Sequence, residues 1–221
     1  MRPSLNSPLK IQDYVVLALP PIFFPLSFIA FKGFFIVSMA LSTTIMGFSA
    51  LAIMAVRGVL RGILMRRGFS ETFLLFLASS IALYIAFLLG GILSDRIGMW
   101  GYVADIYSSI RGFTGSGWLL QLALGVIGFM EEIYWRGYLQ GYVLEGLYGR
   151  GLKPLILTSI YYTAVHIPTG NPPLVVAALI VGLVLGYIAL RAGIICSIAS
   201  HIAWLEAVVI YAPVDMVLSR F

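Results

Sequence analysis

The sequence predicts an all-α fold: a polytopic transmembrane helix bundle of about 7–8 spans, built as one integral-membrane domain over residues 1–221. Three observations predict it. Hydrophobic residues make up 61% of the chain and charged ones only 10%, where a soluble domain carries about 25% charged. Seven apolar segments run through it, at 14–31, 33–56, 71–94, 117–143, 153–167, 174–190 and 192–212, most of them near the ~20 residues a bilayer core requires. The basic residues gather in alternate connections, so the formal charge of +5 reads as membrane topology and implies no nucleic-acid partner.

In order, Arg2 and Lys10 precede the first apolar run as in a signal peptide. Pro20, Pro21 and Pro25 interrupt that run and no small-x-small cleavage site follows, so a retained first helix is expected. Segments 33–56 and 71–94 are apolar spans. Residues 95–116, with Asp95, Arg96, Asp105 and Arg111, read as an interfacial loop or amphipathic helix, or as the place of an eighth helix. Segment 117–143 is apolar apart from Glu131, Glu132 and Arg136 and a few polar side chains. Segments 153–167 and 174–190 are short and separated by Pro168, Pro172 and Pro173, and irregular backbone at that depth is tolerated where it borders a water-accessible cavity. The last segment, 192–212, contains Cys196, the sole cysteine, which is expected to pack as a small hydrophobe. The pairs Gly137/Gly141 and Gly182/Gly186 are expected to be helix-packing faces.

With seven spans and a cytoplasmic N-terminus, the inner side holds Arg2, Lys10, Arg57, Arg61, Arg66, Arg67, Arg150, Lys153 and Arg191. The outer side holds Lys32, Arg96, Arg111 and Arg220, and nine against four favours this orientation. The run from Arg57 to Arg67 reads as a juxtamembrane anchor, with an anionic partner as the alternative. On this count the connection from His166 to Asn171 falls outside. A re-entrant 14–31 or an eighth helix in 95–116 would invert some sides.

Ionisable side chains at bilayer depth cost at least ~2.5 kcal/mol each, so Glu131, Glu132 and Arg136 point to function. On a helix, Glu132 and Arg136 stand at i and i+4 and share a face, whereas Glu131 is rotated by about 100° towards Tyr134 and Trp135. Glu132 and Arg136 are therefore expected to pair, leaving Glu131 without an intrahelical cation and suited to general acid–base work. Alternatively, all three charges brace the bundle. The only histidines are His166, at the end of the fifth segment, and His201, inside the last. Glu206 is about 140° away from His201 around its helix and is expected at the far interface. A carboxylate and an imidazole can share a water and remove its proton, and a second imidazole can donate to an oxyanion, which together suit peptide hydrolysis. Ser197 and Ser200 have no nucleophile-elbow sequence around them. A zinc set of Glu131, His166 and His201 is the chemical rival, but no His-Glu-x-x-His segment is present.

These residues resemble the CAAX protease and bacteriocin-processing family, which includes the type II CAAX prenyl endopeptidases and the abortive-infection membrane proteins. Its Glu-Glu-x-x-x-Arg motif is matched by Glu131, Glu132 and Arg136. Its aromatic-x-x-x-His motif is matched by Tyr162 and His166, with Tyr in place of the commoner Phe. Its His-x-x-x-Asn motif is matched only at His201, because Leu205 occupies the Asn position. The resemblance covers roughly residues 117–210, the candidate catalytic core.

It implies an intramembrane endopeptidase without an obligatory metal or other cofactor. Glu131 and His166 would activate water, Glu132 would assist, Arg136 would hold the carboxylate geometry, and His201 would polarise the scissile carbonyl. Tyr162, Asn171 and Trp204 are candidates for substrate or oxyanion contacts where Leu205 lacks an amide. The implied partner is a membrane-anchored or lipidated peptide, met by a multi-pass protein in the bilayer (the cell membrane in a prokaryote). The chain ends in Ser219-Arg220-Phe221 and is not expected to be its own CAAX substrate. The rival functions are a non-catalytic membrane scaffold or immunity protein, which Leu205 favours, and a small proton-coupled transporter. The transporter lacks the broken-helix repeats expected of such folds.

Overall fold

A computed structural model describes residues 9–64 and 66–219, which are helices and short connections with no strand among them. Arg2 and Arg220 of the charge count lie outside the described residues. In chain order the helices are α1 (Ile11–Leu17), α2 (Pro20–Pro25), α3 (Phe35–Val56), α4 (Arg61–Leu64), α5 (Phe69–Arg96), α6 (Trp100–Arg111), α7 (Gly117–Glu132), α8 (Glu145–Tyr148), α9 (Leu152–Ala164), α10 (Pro172–Ala192), α11 (Ile194–Glu206) and α12 (Val214–Leu218).

Five stretches are long and apolar enough to cross a membrane: Ile11–Ala30, Lys32–Val56, Phe69–Arg96, Pro172–Ala192 and Ile194–Tyr211. This is fewer than the seven or eight spans expected. The helix through α7 is long enough but carries Glu131, Glu132 and Arg136, and α9 has 13 residues, short of the ~20 a bilayer core needs. Conversely α10, expected to be short, has 21 residues. Pro172 and Pro173 open it instead of preceding it, because proline costs nothing in a first turn whose N–H groups are unpaired. Asn171 caps it by accepting from the Leu174 N–H at 3.0 Å. Prolines also shape the first stretch. Pro20 and Pro21 restart the helix after α1, and behind Pro25 the chain widens into a π turn at Leu26–Ala30. Residues 100–111 form the amphipathic helix α6, not a span, with Val103, Ile106 and Tyr107 turned inward and Asp105 and Arg111 outward.

The core centres on α7 and the π-helix Ile133–Leu144 that continues it, packed by α3, α9, α10 and α11. Of that π stretch all but Gly141 and Leu144 are buried, and Trp135, Arg136, Tyr134 and Tyr138 are among the largest fully buried side chains. Two glycines permit close approaches between helix backbones. A Cβ on Gly47 of α3 would lie 3.0 Å from the Met130 carbonyl oxygen, and one on Gly182 of α10 would lie 3.1 Å from Ser159 Cα. Outward faces stay apolar, with Leu41, Ile45 and Phe48 of α3 and Ile81, Ile85 and Leu89 of α5 exposed, as lipid-facing helices require.

Charges are sorted to two ends. Lys10, Arg57, Arg66, Arg67, Arg150, Lys153 and Arg191 share one end, tied together by Arg57–Asp13 (2.8 Å), Arg66–Glu145 (3.0 Å) and the Arg66 N–H donated to the Ala192 carbonyl (3.0 Å). Arg67 pairs with Glu71, so Arg57, Arg66 and Arg67 each pair with one of the protein's own acids. The opposite end holds Lys32, Arg96 and Arg111 with Asp95, Asp105, Glu206 and Asp215, linked by Lys32–Asp105 (2.5 Å) and by an Arg111–Asp215 pair. We refer to these as the basic end and the acidic end.

Candidate active site

Glu131 and Glu132 stand in the last turn of α7, immediately before hydrogen bonding changes from i→i+4 to i→i+5. Such π turns recur at functional sites. Glu132 is fully buried and gathers three donors. Its Oε1 accepts from Arg136 Nη1 at 2.7 Å and from His201 Nδ1 at 2.8 Å, and its Oε2 accepts from the Ser197 hydroxyl. Arg136 also donates to the Val181 carbonyl at 3.2 Å, and its guanidinium lies 5.3 Å from the Tyr162 ring centre. The i, i+4 spacing thus forms an ion pair, and that pair grips α11 as well as α7.

Glu131 points elsewhere. Its Oε2 accepts from the Tyr162 hydroxyl at 3.1 Å, and no cation pairs with it among the described residues. Tyr162 sits in the last turn of α9 and also supplies the backbone carbonyl to which His166 Nδ1 bonds at 2.7 Å. A carbonyl only accepts, so Nδ1 carries the hydrogen and Nε2 of a neutral His166 presents a lone pair. Phe24 and Phe28 hold this ring by edge contacts, with centroids at 5.0 and 5.5 Å. His201 is oriented from behind by Glu132, and its ring lies 5.6 Å from that of Trp204. The Trp204 indole N–H is buried without a partner. Asn171 differs: its oxygen caps α10 and its amide nitrogen donates to the Tyr102 carbonyl at 2.9 Å, so it fastens α6 to the start of α10.

A largely apolar cavity of about 510 Å³ brings these groups together. Glu131, Tyr162, His166, Asn171, His201 and Trp204 line it, with Leu205 beside them, whereas Glu132 and Arg136 lie behind its wall. The sequence candidates therefore divide into a set that a bound molecule can touch and a set that holds the first in place. Glu206, as expected, is away from His201 and accepts from Gln121 at 3.3 Å. Cys196 is buried against α5, its thiol donating to the Thr72 carbonyl at 3.3 Å. Among the described residues no group of three or more His, Cys, Asp or Glu is placed to hold a metal ion. Four contributing residues escape the sequence reading. Ser197 reads there only as a possible nucleophile, Gly47 packs on Met130 next to Glu131, and Phe24 and Phe28 come from a segment whose only signal is its prolines.

Such an arrangement can hold a water between a carboxylate and an imidazole lone pair, and present donors from the facing helix to a polarised carbonyl. Residues 113–205 match the family model described as type II CAAX prenyl endopeptidase Rce1-like. No curated protein and no solved structure matches the chain.

Proposed function

We propose, from the match of residues 113–205 to endopeptidases of that type, that this multi-pass membrane protein hydrolyses a peptide bond in a membrane-associated substrate, for which a CAAX-type lipidated segment is one fitting chemistry. The observation that carries the reading is the convergence of Glu131, His166 and His201 on one apolar cavity while Glu132 and Arg136 stay outside it. Water held between the Glu131 carboxylate and His166 Nε2 loses a proton to that pair as its oxygen attacks the scissile carbonyl carbon. The oxyanion so formed accepts from the Nε2–H of His201 in its imidazolium form, a ring that Glu132 Oε1 orients through Nδ1. Trp204 supplies a second donor beside Leu205, where the family pattern has an amide. Collapse breaks the C–N bond, and the abstracted proton passes to the leaving nitrogen, giving a carboxylate and an amine.

Purified protein incubated with membrane-anchored and prenylated peptides should cleave at least one, with and without a chelator. Glu131→Ala and His166→Ala variants should be inactive. Cleavage unchanged in Glu131→Ala removes the hydrolase reading, and loss on chelation with rescue by zinc replaces it with a metal-dependent one. Leu205 on the cavity wall favours a second reading, a non-catalytic scaffold or immunity protein, which binding without cleavage would support.

A further inference from the structure

We infer that the cavity is entered from the outer, non-cytoplasmic side of the membrane, and that its substrates are polypeptides anchored by an apolar group in the outer leaflet. The inference rests on the endopeptidase reading for the word substrate, but its sidedness stands on the structure by itself.

Each long helix contributes to the cavity only from its acidic-end half. From α3 come Phe35 to Met39, from α5 and its C-cap Ala86 to Ile97, from α10 Pro172 to Val181, and from the continuous helix 117–144 of α7 and its π extension Leu124 to Glu131, no further than its middle. No residue of the basic-end connections 57–68, 145–153 or 189–193 lines it. In that direction the space is closed by the buried Glu132–Arg136 pair and by Trp135 and Tyr138, both 0% exposed. Lysine and arginine near span ends, and not net charge, set orientation, so the pairing of Arg57 and Arg66 with Asp13 and Glu145 does not weaken the asymmetry. The basic end is therefore cytoplasmic, and the acidic end, with the mouth, is outside.

Two openings lie at that end. Leu93, Ile97 and Val176 line the cavity and are also 61%, 56% and 58% exposed, which opens it sideways towards the acyl layer of the outer leaflet. A second, more polar pocket of about 230 Å³ surrounds the Lys32–Asp105 pair and shares Phe28, Phe35, Tyr102, Ile106 and Asn171 with the cavity. An apolar anchor can enter by the first while its hydrated peptide approaches Glu131 by the second.

The test uses the full chain with Cys196→Ser and single reporters, Ser108→Cys on α6 and Lys153→Cys at the basic end. A membrane-impermeant maleimide should label Ser108→Cys in intact cells as fully as after lysis, and Lys153→Cys only after lysis; the reverse pattern overturns the inference. In proteoliposomes of known orientation, an acylated peptide and a peptide ending an apolar helix are offered to each side, which separates the two anchors. Cleavage only from the Ser108 side supports the inference. Equal cleavage from the Lys153 side overturns it while keeping the endopeptidase reading. Absence of cleavage from both sides, with Ser108→Cys labelled in intact cells, removes that reading and leaves the sidedness standing.

Discussion

Replacing each of the two adjacent glutamates should separate their roles. In Glu132→Ala, Arg136, 1% exposed, keeps only the Val181 carbonyl as a partner, and His201 loses its acceptor, while Ser197 retains the Leu185 carbonyl at 3.2 Å. An uncompensated buried charge of this kind costs about 3–5 kcal/mol. At roughly 2–4 °C per kcal/mol for a chain of this size, the melting temperature should fall by about 6–20 °C. In Glu131→Gln the amide oxygen still accepts from Tyr162 and no cation is orphaned, so the melting temperature should move by less than ~2 °C while cleavage is lost. Adding Arg136→Met to Glu132→Ala should restore part of the lost stability, since it removes the stranded charge. Thermal unfolding in detergent, paired with a peptide-cleavage assay on the same samples, reads both quantities. A Glu132→Ala protein that melts with wild type, or a Glu131→Gln protein that melts with Glu132→Ala, would refute this division between a reacting and a supporting carboxylate.

Trp204→Phe removes an indole N–H that has no partner, so stability should hold while cleavage drops by about 10²-fold, the usual effect of losing an oxyanion donor; an unchanged rate would exclude that role. Gly47→Val should cost about 1–3 kcal/mol and lower kcat, because it presses on Met130 beside Glu131. Gly125→Ala, with nothing within 4 Å of its Cβ, should be neutral or slightly stabilising on the same thermal assay. Arg57→Ala strands the fully buried Asp13 and should destabilise by several times more than Lys32→Ala, whose exposed pair contributes at most ~1 kcal/mol; equal melting shifts would contradict this ranking.

The site was legible in the sequence to the extent that its chemistry is rare in lipid. Two carboxylates, one arginine and two histidines stand out against an apolar background, and helical spacing separates Glu131 from the Glu132–Arg136 pair. Less legible was anything set by contacts between distant segments. Spacing within 117–143 cannot tell that Glu132 also binds Ser197 and His201, some 65 residues and more away. Nor can the proline-rich start reveal that Phe24 and Phe28 close on His166, since hydrophobic pattern alone does not say which helix meets which. The span count differs for a related reason. Hydropathy sees length and charge, so it includes the short α9 and the charged helix through α7 among the spans and does not extend α10 back through Pro172. Asn171 is a candidate donor in the sequence because Leu205 lacks an amide, and only the contacts between segments show that the α10 cap and the Tyr102 carbonyl already engage its side chain.

The joint between α7 and α11 also bears on biogenesis. Glu131 emerges from the ribosome long before His201 and Trp204, and until α11 docks, Glu132 has Arg136 as its one hydrogen-bond partner among the described residues. A nascent chain stalled or truncated ahead of Ile194 therefore has neither an oriented imidazole nor an indole donor facing its first carboxylate. On the endopeptidase reading, competence to hydrolyse would therefore wait for the last long helix to dock.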